Sequence, residues 1–315
     1  MSIIDIHVHG LGGYDVRTSD EEHLLRIAEL QAAAGVDEIV LTLYPSSVPV
    51  MREQMRVVKR AMERQEDGNA LSVTSDELKN KEESLDALRI THHSSRSSNA
   101  ARIVGVHLEG PFLNPAKCGA LNAMTFLEPA EYRLEELLEG FEDMVRIVTV
   151  APELKGAAGL IRALADRGIV ASMGHSDATY AEAEAGFNAG AKGITHLFNA
   201  MRGFHHREPG LAGFGLMNPE VYVEVIADPY HLHPGALELV LKAKRPDRVI
   251  LVSDMVRESK SSSRTEAVAD RHGSLIGGSM SITEAAERLV ALGCGRSAAM
   301  DFITGNPARY IGRSE

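Results

Sequence analysis

The 315 residues carry 44 acidic against 33 basic side chains, a formal net charge of −11, which excludes the basic face that a nucleic-acid partner requires. Two cysteines, Cys118 and Cys294, are too few for a disulfide framework and make a reducing cytoplasm the expected setting. No apolar run reaches the roughly 18 residues of a membrane span, and the opening MSIIDIHVHG lacks the basic and apolar regions of an export signal.

Ile3 to Val8 reads as a first strand, followed by a glycine-rich turn at Gly10 to Gly13. Ser19 and Glu22 form a capping-box pattern for a helix that Gly35 stops. Val36 to Tyr44 is a second strand and Val48 to Arg64 a second helix. The polar, serine-rich stretch from Glu66 to Ala100 reads as a surface insertion, partly helical around Ser75 to Leu88. Strands follow at Arg102 to Leu108, Val145 to Val150, Ile169 to Met173, Gly193 to Leu197, Tyr222 to Ala227 and Arg248 to Val252. Between the fifth and sixth lies a helix, Tyr180 to Ala191, which Thr179 or Asp177 can cap. Arg257 to Arg271 is a charged loop, and the chain closes with helices at Ser281 to Leu292, capped by Ser281 or Thr283, and at Ser297 to Ile311. Eight strands alternating with helices predict one (β/α)8 TIM barrel spanning residues 1–315.

In such a barrel the chemistry sits at the carboxyl ends of the strands. Here those ends carry His7 and His9, Glu109, His175, His196, the Asp228 to His231 turn, and Asp254. His7 and His9 are two apart, so both side chains leave one face of their strand and can share an ion. Histidines with a carboxylate and one position left for water are the pattern of a hydrolytic metal site. Asp254, ending the last strand, is a candidate proton shuttle. The pairs His92-His93 and His205-His206 read as solvated loop, the second on a substrate rim beside Arg207.

Six segments, Asp5-Ile6-His7-Val8-His9-Gly10, His107-Leu108-Glu109-Gly110-Pro111-Phe112, Gly174-His175-Ser176-Asp177-Ala178, His196-Leu197-Phe198-Asn199-Ala200-Met201, Arg207-Glu208-Pro209-Gly210 and Asn306-Pro307-Ala308, closely resemble the N-acetylglucosamine-6-phosphate deacetylases of the amidohydrolase superfamily. The likeness covers most of the chain in the family's order. It implies that Glu109, His175 and His196 hold a principal divalent metal, zinc or iron, and that His7 and His9 hold a second ion. It further implies that Asp254 is the acid-base and that His231 polarises the amide carbonyl. Asn199 and Ala200 would meet the sugar phosphate, with Arg207 reaching across from the neighbouring subunit of a homodimer. Ala120 and the Ile276-Gly277-Gly278 turn match further substrate contacts. The implied reaction removes acetyl from an N-acetylhexosamine 6-phosphate, most closely N-acetylglucosamine 6-phosphate, in the cytoplasm.

Leu121 stands where the family usually has histidine, and Asp228-Pro229 replaces its Asp-Gly. The chain begins at the first barrel strand and stops soon after Asn306-Pro307-Ala308, so the family's small β-sandwich is expected to be missing. Two alternatives follow. One is an amidohydrolase for a different amide or cyclic amide; such members often bridge two ions with a modified lysine on strand four, but Val145 to Val150 has none and Glu109 would have to bridge. The other is a non-catalytic relative that binds metal or sugar phosphate, against which the joint presence of Asp254 and His231 weighs.

Overall fold

The structure, a computed structural model, describes residues 1–79, 99–260 and 266–313, with backbone alone for 68–79. Eight parallel strands form one sheet in the order of the chain: β1 (Ile4–Val8), β2 (Glu38–Leu43), β3 (Arg102–Leu108), β4 (Val145–Val150), β5 (Val170–Met173), β6 (Gly193–Ile194), β7 (Tyr222–Val225) and β8 (Val249–Leu251). The sheet closes on itself just beyond β8, where Met255 bridges Val8 in parallel and the Asp254 N–H donates to the His7 carbonyl at 2.9 Å. This is the expected (β/α)8 barrel. Its strands are buried almost throughout, as parallel strands covered on both faces require, so they read as short, mainly apolar runs.

The barrel interior is layered. At the bottom Ile4, Ile6, Val40, Val104, Ile147, Val170, Ile226 and Ile250 form a cluster of their own with Tyr310 and Ile311. Side chains from nearly every strand meet in one place only along the barrel axis. β6 contributes no side chain there, because a Cβ on Gly193 would lie 2.0 Å from the Tyr310 hydroxyl; the tyrosine occupies that share of the interior. Above this floor comes a hydroxyl layer. The Thr149 hydroxyl contacts His107 Nε2 at 2.7 Å and the Thr195 hydroxyl at 2.9 Å, and Thr195 donates to the Ser172 hydroxyl at 2.7 Å. The imidazoles and carboxylates lie above that. A larger apolar cluster fills the space between strands and helices.

Helices α1 (Glu21–Ala33), α2 (Val48–Lys79), α3 (Glu131–Leu138), α4 (Ala157–Asp166), α5 (Tyr180–Asn188), α6 (Gly210–Met217), α7 (Pro234–Ala243), α8 (Ile282–Ala291), α9 (Arg296–Asp301) and α10 (Gly305–Tyr310) accompany the sheet. Of the caps left open between two residues, Thr179 closes α5 with Glu182 and Ser281 closes α8 with Glu284, each as a full capping box. Four expectations need correction. Asp20, not Ser19, caps α1, since its carboxylate accepts from the Glu22 N–H. α2 continues past Arg64 to Lys79, so the polar stretch begins as helix; residues 80–98 of the expected insertion lie outside the described residues. The closing segment is two helices, with Phe302 to Thr304 turning between them. β6 ends at Ile194 rather than Leu197, because the chain then enters a left-handed turn. Among the described residues the only other strands form two short hairpins, Gly10–Leu11 with Tyr14–Asp15 and Val268–Ala269 with Leu275–Gly277; no β-sandwich is present. No described helix is long and apolar enough to cross a membrane.

Candidate active site

The mouth of the barrel departs from ordinary backbone geometry. His175, His196, Phe198, Ala200 and Asp254 all have positive φ, between 31° and 77°, where L residues are crowded by their own Cβ. Every non-glycine residue of this kind among the described residues lies at or beside a strand end of the site. Such strain persists only where surrounding structure imposes it, and here it turns imidazoles and a carboxylate inward as the strands run out.

Two groups of three result. Glu109 Oε1, His175 Nε2 and His196 Nε2 are each 3.1 Å from one another. His7 Nε2 and His9 Nε2 are 3.3 Å apart, and Asp254 Oδ1 lies 3.4 Å from the first and 3.5 Å from the second. Glu109 joins the groups, with Oε1 at 3.5 Å from His7 and Oε2 at 3.2 Å from His9. Glu109 thus lies between the two groups, in contact with histidines of each.

The donor set fits a divalent cation. His175 Nδ1 faces the Lys117 carbonyl at 2.9 Å and His7 Nδ1 faces Glu224 Oε2 at 3.3 Å; both partners only accept, so both rings carry their proton on Nδ1. The Nε2 lone pairs then point at carboxylate oxygens and at each other, an arrangement that needs positive charge between them. Ligand atoms about 3.3 Å apart suit a tetrahedral ion with bonds of about 2.0–2.1 Å. Burial pushes the His7 and His196 imidazoles down, but the surrounding carboxylates outweigh it: Asp254, Glu109 and Glu224 raise His7, and Glu109 and Asp254 raise His196. Burial likewise pushes Glu109 up, yet the imidazoles hold its carboxyl well below the usual range. His107, one layer down without a carboxylate in hydrogen-bonding contact, goes the other way and is held neutral chiefly by burial.

Above the cluster lies a cleft of about 160 Å³. Ala120, Leu121, Asn199, Ala200, His231, Ile276 and Gly277 line it together with the site groups. Gly278 does not; its N–H donates to the Asp254 carbonyl at 2.7 Å, and a Cβ there would lie 1.8 Å from the Ser253 carbonyl oxygen, so it supports Asp254 from behind. Arg207 is exposed outside the cleft, its guanidinium against His206, and His205 and His206 are exposed with it. His92 and His93 lie outside the described residues.

Three contributors escaped the sequence reading, and the partner of a fourth, Asp228, was not foreseen. Tyr44 lines the cleft and stacks on His9 at 4.0 Å between centroids, with the Arg17 guanidinium 4.3 Å from the same ring. Since His9 Nδ1 is buried without a partner, that stack is what orients its ring. Glu224 is fully buried behind His7; a lone charge in the buried strand YVEV was the available signal. Glu153 accepts from Asn114, from the Ser176 hydroxyl and from the Asp177 N–H, holding the turn that carries His175. Asp228 binds His231 Nδ1 at 2.9 Å.

Curated relatives carry the same kind of chain. An N-acetylglucosamine-6-phosphate deacetylase of Vibrio furnissii is 34% identical over 255 residues, 81% of this chain and 56% of its own length. An N-acetylgalactosamine-6-phosphate deacetylase of Escherichia coli O157:H7 is 28% identical over 322 residues, 98% of this chain and 77% of its length. The chain thus spans little more than half of the Vibrio relative. A solved N-acetyl-D-glucosamine-6-phosphate deacetylase variant from Mycobacterium smegmatis, in complex with N-acetyl-D-glucosamine-6-phosphate, superimposes with a TM-score of 0.79 at 26% identity, covering 99% of this chain and 77% of its own. The model of the amidohydrolase family matches residues 2–314, and with the barrel and its strand-end cluster in place this chain belongs to that family.

Proposed function

We propose that the chain hydrolyses the acetamide of an N-acetylhexosamine 6-phosphate, most closely N-acetylglucosamine 6-phosphate, to the amino sugar phosphate and acetate. The observation that carries the reading is the place of Asp254: a carboxylate within 3.5 Å of His7 and His9 that also lines the cleft with His231. A binding site needs no such proton acceptor. The deacetylase activities for which the relatives are named, and the sugar phosphate bound in the Mycobacterium complex, support the substrate class.

Glu109, His175 and His196 would hold one zinc or iron ion and His7 and His9, beside Asp254, a second. A divalent ion supplies Lewis acidity and lowers the pKa of water from about 15.7 towards about 7. The chain's own groups do the rest. Asp254 takes the proton of the attacking water and returns it to the departing amine nitrogen. His231, whose Nδ1 is engaged by Asp228, offers Nε2 to the amide oxygen and stabilises the charge that develops there. Ala120, Asn199, Ala200, Ile276 and Gly277 shape the sugar pocket, with Gly278 supporting it. Among the described residues the cleft lining holds no lysine or arginine, and Arg207 of a second copy in a homodimer fits a phosphate's need for a cation. Leu121 gives the sugar an apolar neighbour, which is why the galactosamine epimer stays in the test. The cytoplasm suits the two free cysteines.

The test is metal analysis of the purified chain followed by acetate release from a panel of N-acetylhexosamine phosphates. Acetate from a 6-phosphate, and little from the unphosphorylated sugar, is the expected result. Metal-loaded protein that releases none from any member of the panel would overturn the reading.

A further inference from the structure

Asp228 is 1% exposed and opens the turn after β7. Its Oδ1 accepts from the N–H groups of Tyr230 and His231, at 2.9 and 2.8 Å. Its Oδ2 accepts from His231 Nδ1 and from the Ser279 N–H, both at 2.9 Å. Four donors thus converge on one side chain from two separate segments. Ser279 directly follows the wall formed by Leu275, Ile276 and Gly277, and Gly278 between them donates to the Asp254 carbonyl.

We propose that Asp228 is a positioning residue: a single buried carboxylate that fixes the ring and the Nδ1 proton of His231 and, through Ser279, ties the Leu275–Gly277 wall to both His231 and Asp254. Resting on the role given to His231 above, it extends that role to how the ring is aimed and how the wall beside the substrate is kept in register with it.

The chemistry leaves little freedom. An ionised carboxylate accepts at both oxygens; an amide in the same place has one oxygen and one NH2, and whichever way it lies the NH2 meets two N–H donors. Asn is therefore the wrong residue at this position despite its identical shape. Burial pushes the Asp228 carboxyl up, but the His231 hydrogen bond and charge, with the His231 and Ser279 N–H groups, carry it down to about 2, so the acceptor form is present throughout the neutral range. With Nδ1 bound to a pure acceptor, Nε2 is the ring nitrogen left for the cleft, and its orientation follows that of Asp228.

The test uses the zinc-loaded full chain in which histidine is labelled with nitrogen-15, and assigns the His231 signal by its disappearance in His231→Asn. The expected pattern is a protonated Nδ1 in the native chain and a changed tautomer pattern in Asp228→Asn, with metal content retained and a melting temperature lowered by the buried N–H groups that lose their acceptor. A His231 pattern identical in the two proteins overturns the proposal whatever the activity does. On N-acetylglucosamine 6-phosphate, Asp228→Asn is expected to lower kcat by about 10²–10⁴-fold, as when a catalytic imidazole loses the acceptor that sets its tautomer. KM rises separately as the wall loosens. In the His231→Asn background, Asp228→Asn should leave kcat where it was; a further full loss would mean a general structural role and also overturn the proposal. Full activity of His231→Asn would instead refute the role of His231 itself, leaving the nitrogen-15 result to judge Asp228 independently. If Asp228→Asn fails to fold, Asp228→Glu, which keeps the charge but displaces the oxygens, takes its place: an unmoved His231 signal there sinks the idea.

Discussion

The floor and the mouth of the barrel are built from the same strands by opposite rules. At the floor, aliphatic side chains and Tyr310 pack in one apolar cluster. At the mouth, a few residues further along the same strands, carboxylates and imidazoles crowd at 3.1–3.5 Å, and His175, His196, Phe198, Ala200 and Asp254 take up left-handed backbone. The hydroxyl layer of Thr149, Thr195 and Ser172 separates them. Burial of apolar surface holds the barrel closed, and that closure keeps strained, mutually repelling groups in place at the other end. Stability and chemistry should therefore respond to different residues.

Stripping divalent ions is the strongest way to break this separation. Dialysis against a chelator should abolish acetate release and also lower the melting temperature, because Glu109 and Asp254 lose the cation that they and the imidazole Nε2 atoms face. Readdition of zinc or iron should restore both; an unchanged melting curve would argue that no ion binds the cluster. Asp254→Asn comes next, with deacetylation falling by about 10²–10⁴-fold while bound metal and melting temperature stay near native. Near-normal turnover in that variant would remove the acid-base role. At the floor, Ile147→Ala should cost about 2–5 kcal/mol of stability in denaturant unfolding and leave kcat per folded molecule unchanged. A loss of kcat matching that of a mouth variant would show that the two layers are not independent. The smallest effect sharpens the comparison. Ala200→Gly relieves a left-handed alanine, worth about 1–2 kcal/mol, against a gain in unfolded-chain entropy of about 0.4–1 kcal/mol, so the net should be a small stabilisation. Destabilisation would mean that the Ala200 methyl packs for more than its backbone costs.

Much of the fold was legible because parallel strands buried on both faces leave a plain trace. The eight apolar runs were each bounded by a turn signal, and the histidine at the end of one strand had a counterpart at the end of the next. At α5 and α8, Thr179 and Ser281 were each legible as one of two cap formers, and the reciprocal bonds with Glu182 and Glu284 select them. The candidate ligands were legible because histidines and a carboxylate recur at the ends of separate strands. Asp20 in place of Ser19 was not, since two adjacent cap formers compete and only the path of the chain selects one. Tyr44 was hidden as one more aromatic at the end of a buried strand. Glu153 was hidden because its partners Asn114, Ser176 and Asp177 are distant in the chain, and of Asp228 the hidden part was its bond to the Ser279 N–H across 51 positions.

The order of strands, the identity of the family and the residues available for a metal all follow from short-range pattern, which depends only on which side chains neighbour each other along the chain. What each ring nitrogen faces is another matter. That Glu109 touches four histidines, that Glu224 and Tyr44 aim His7 and His9, and that Asp228 joins two walls of one cleft are set by where eight strands stop around a closed cylinder. Hydrogen bonds and charge pairs act over about 3 Å in space, irrespective of separation in sequence, and only the closure of the barrel brings those atoms within that reach.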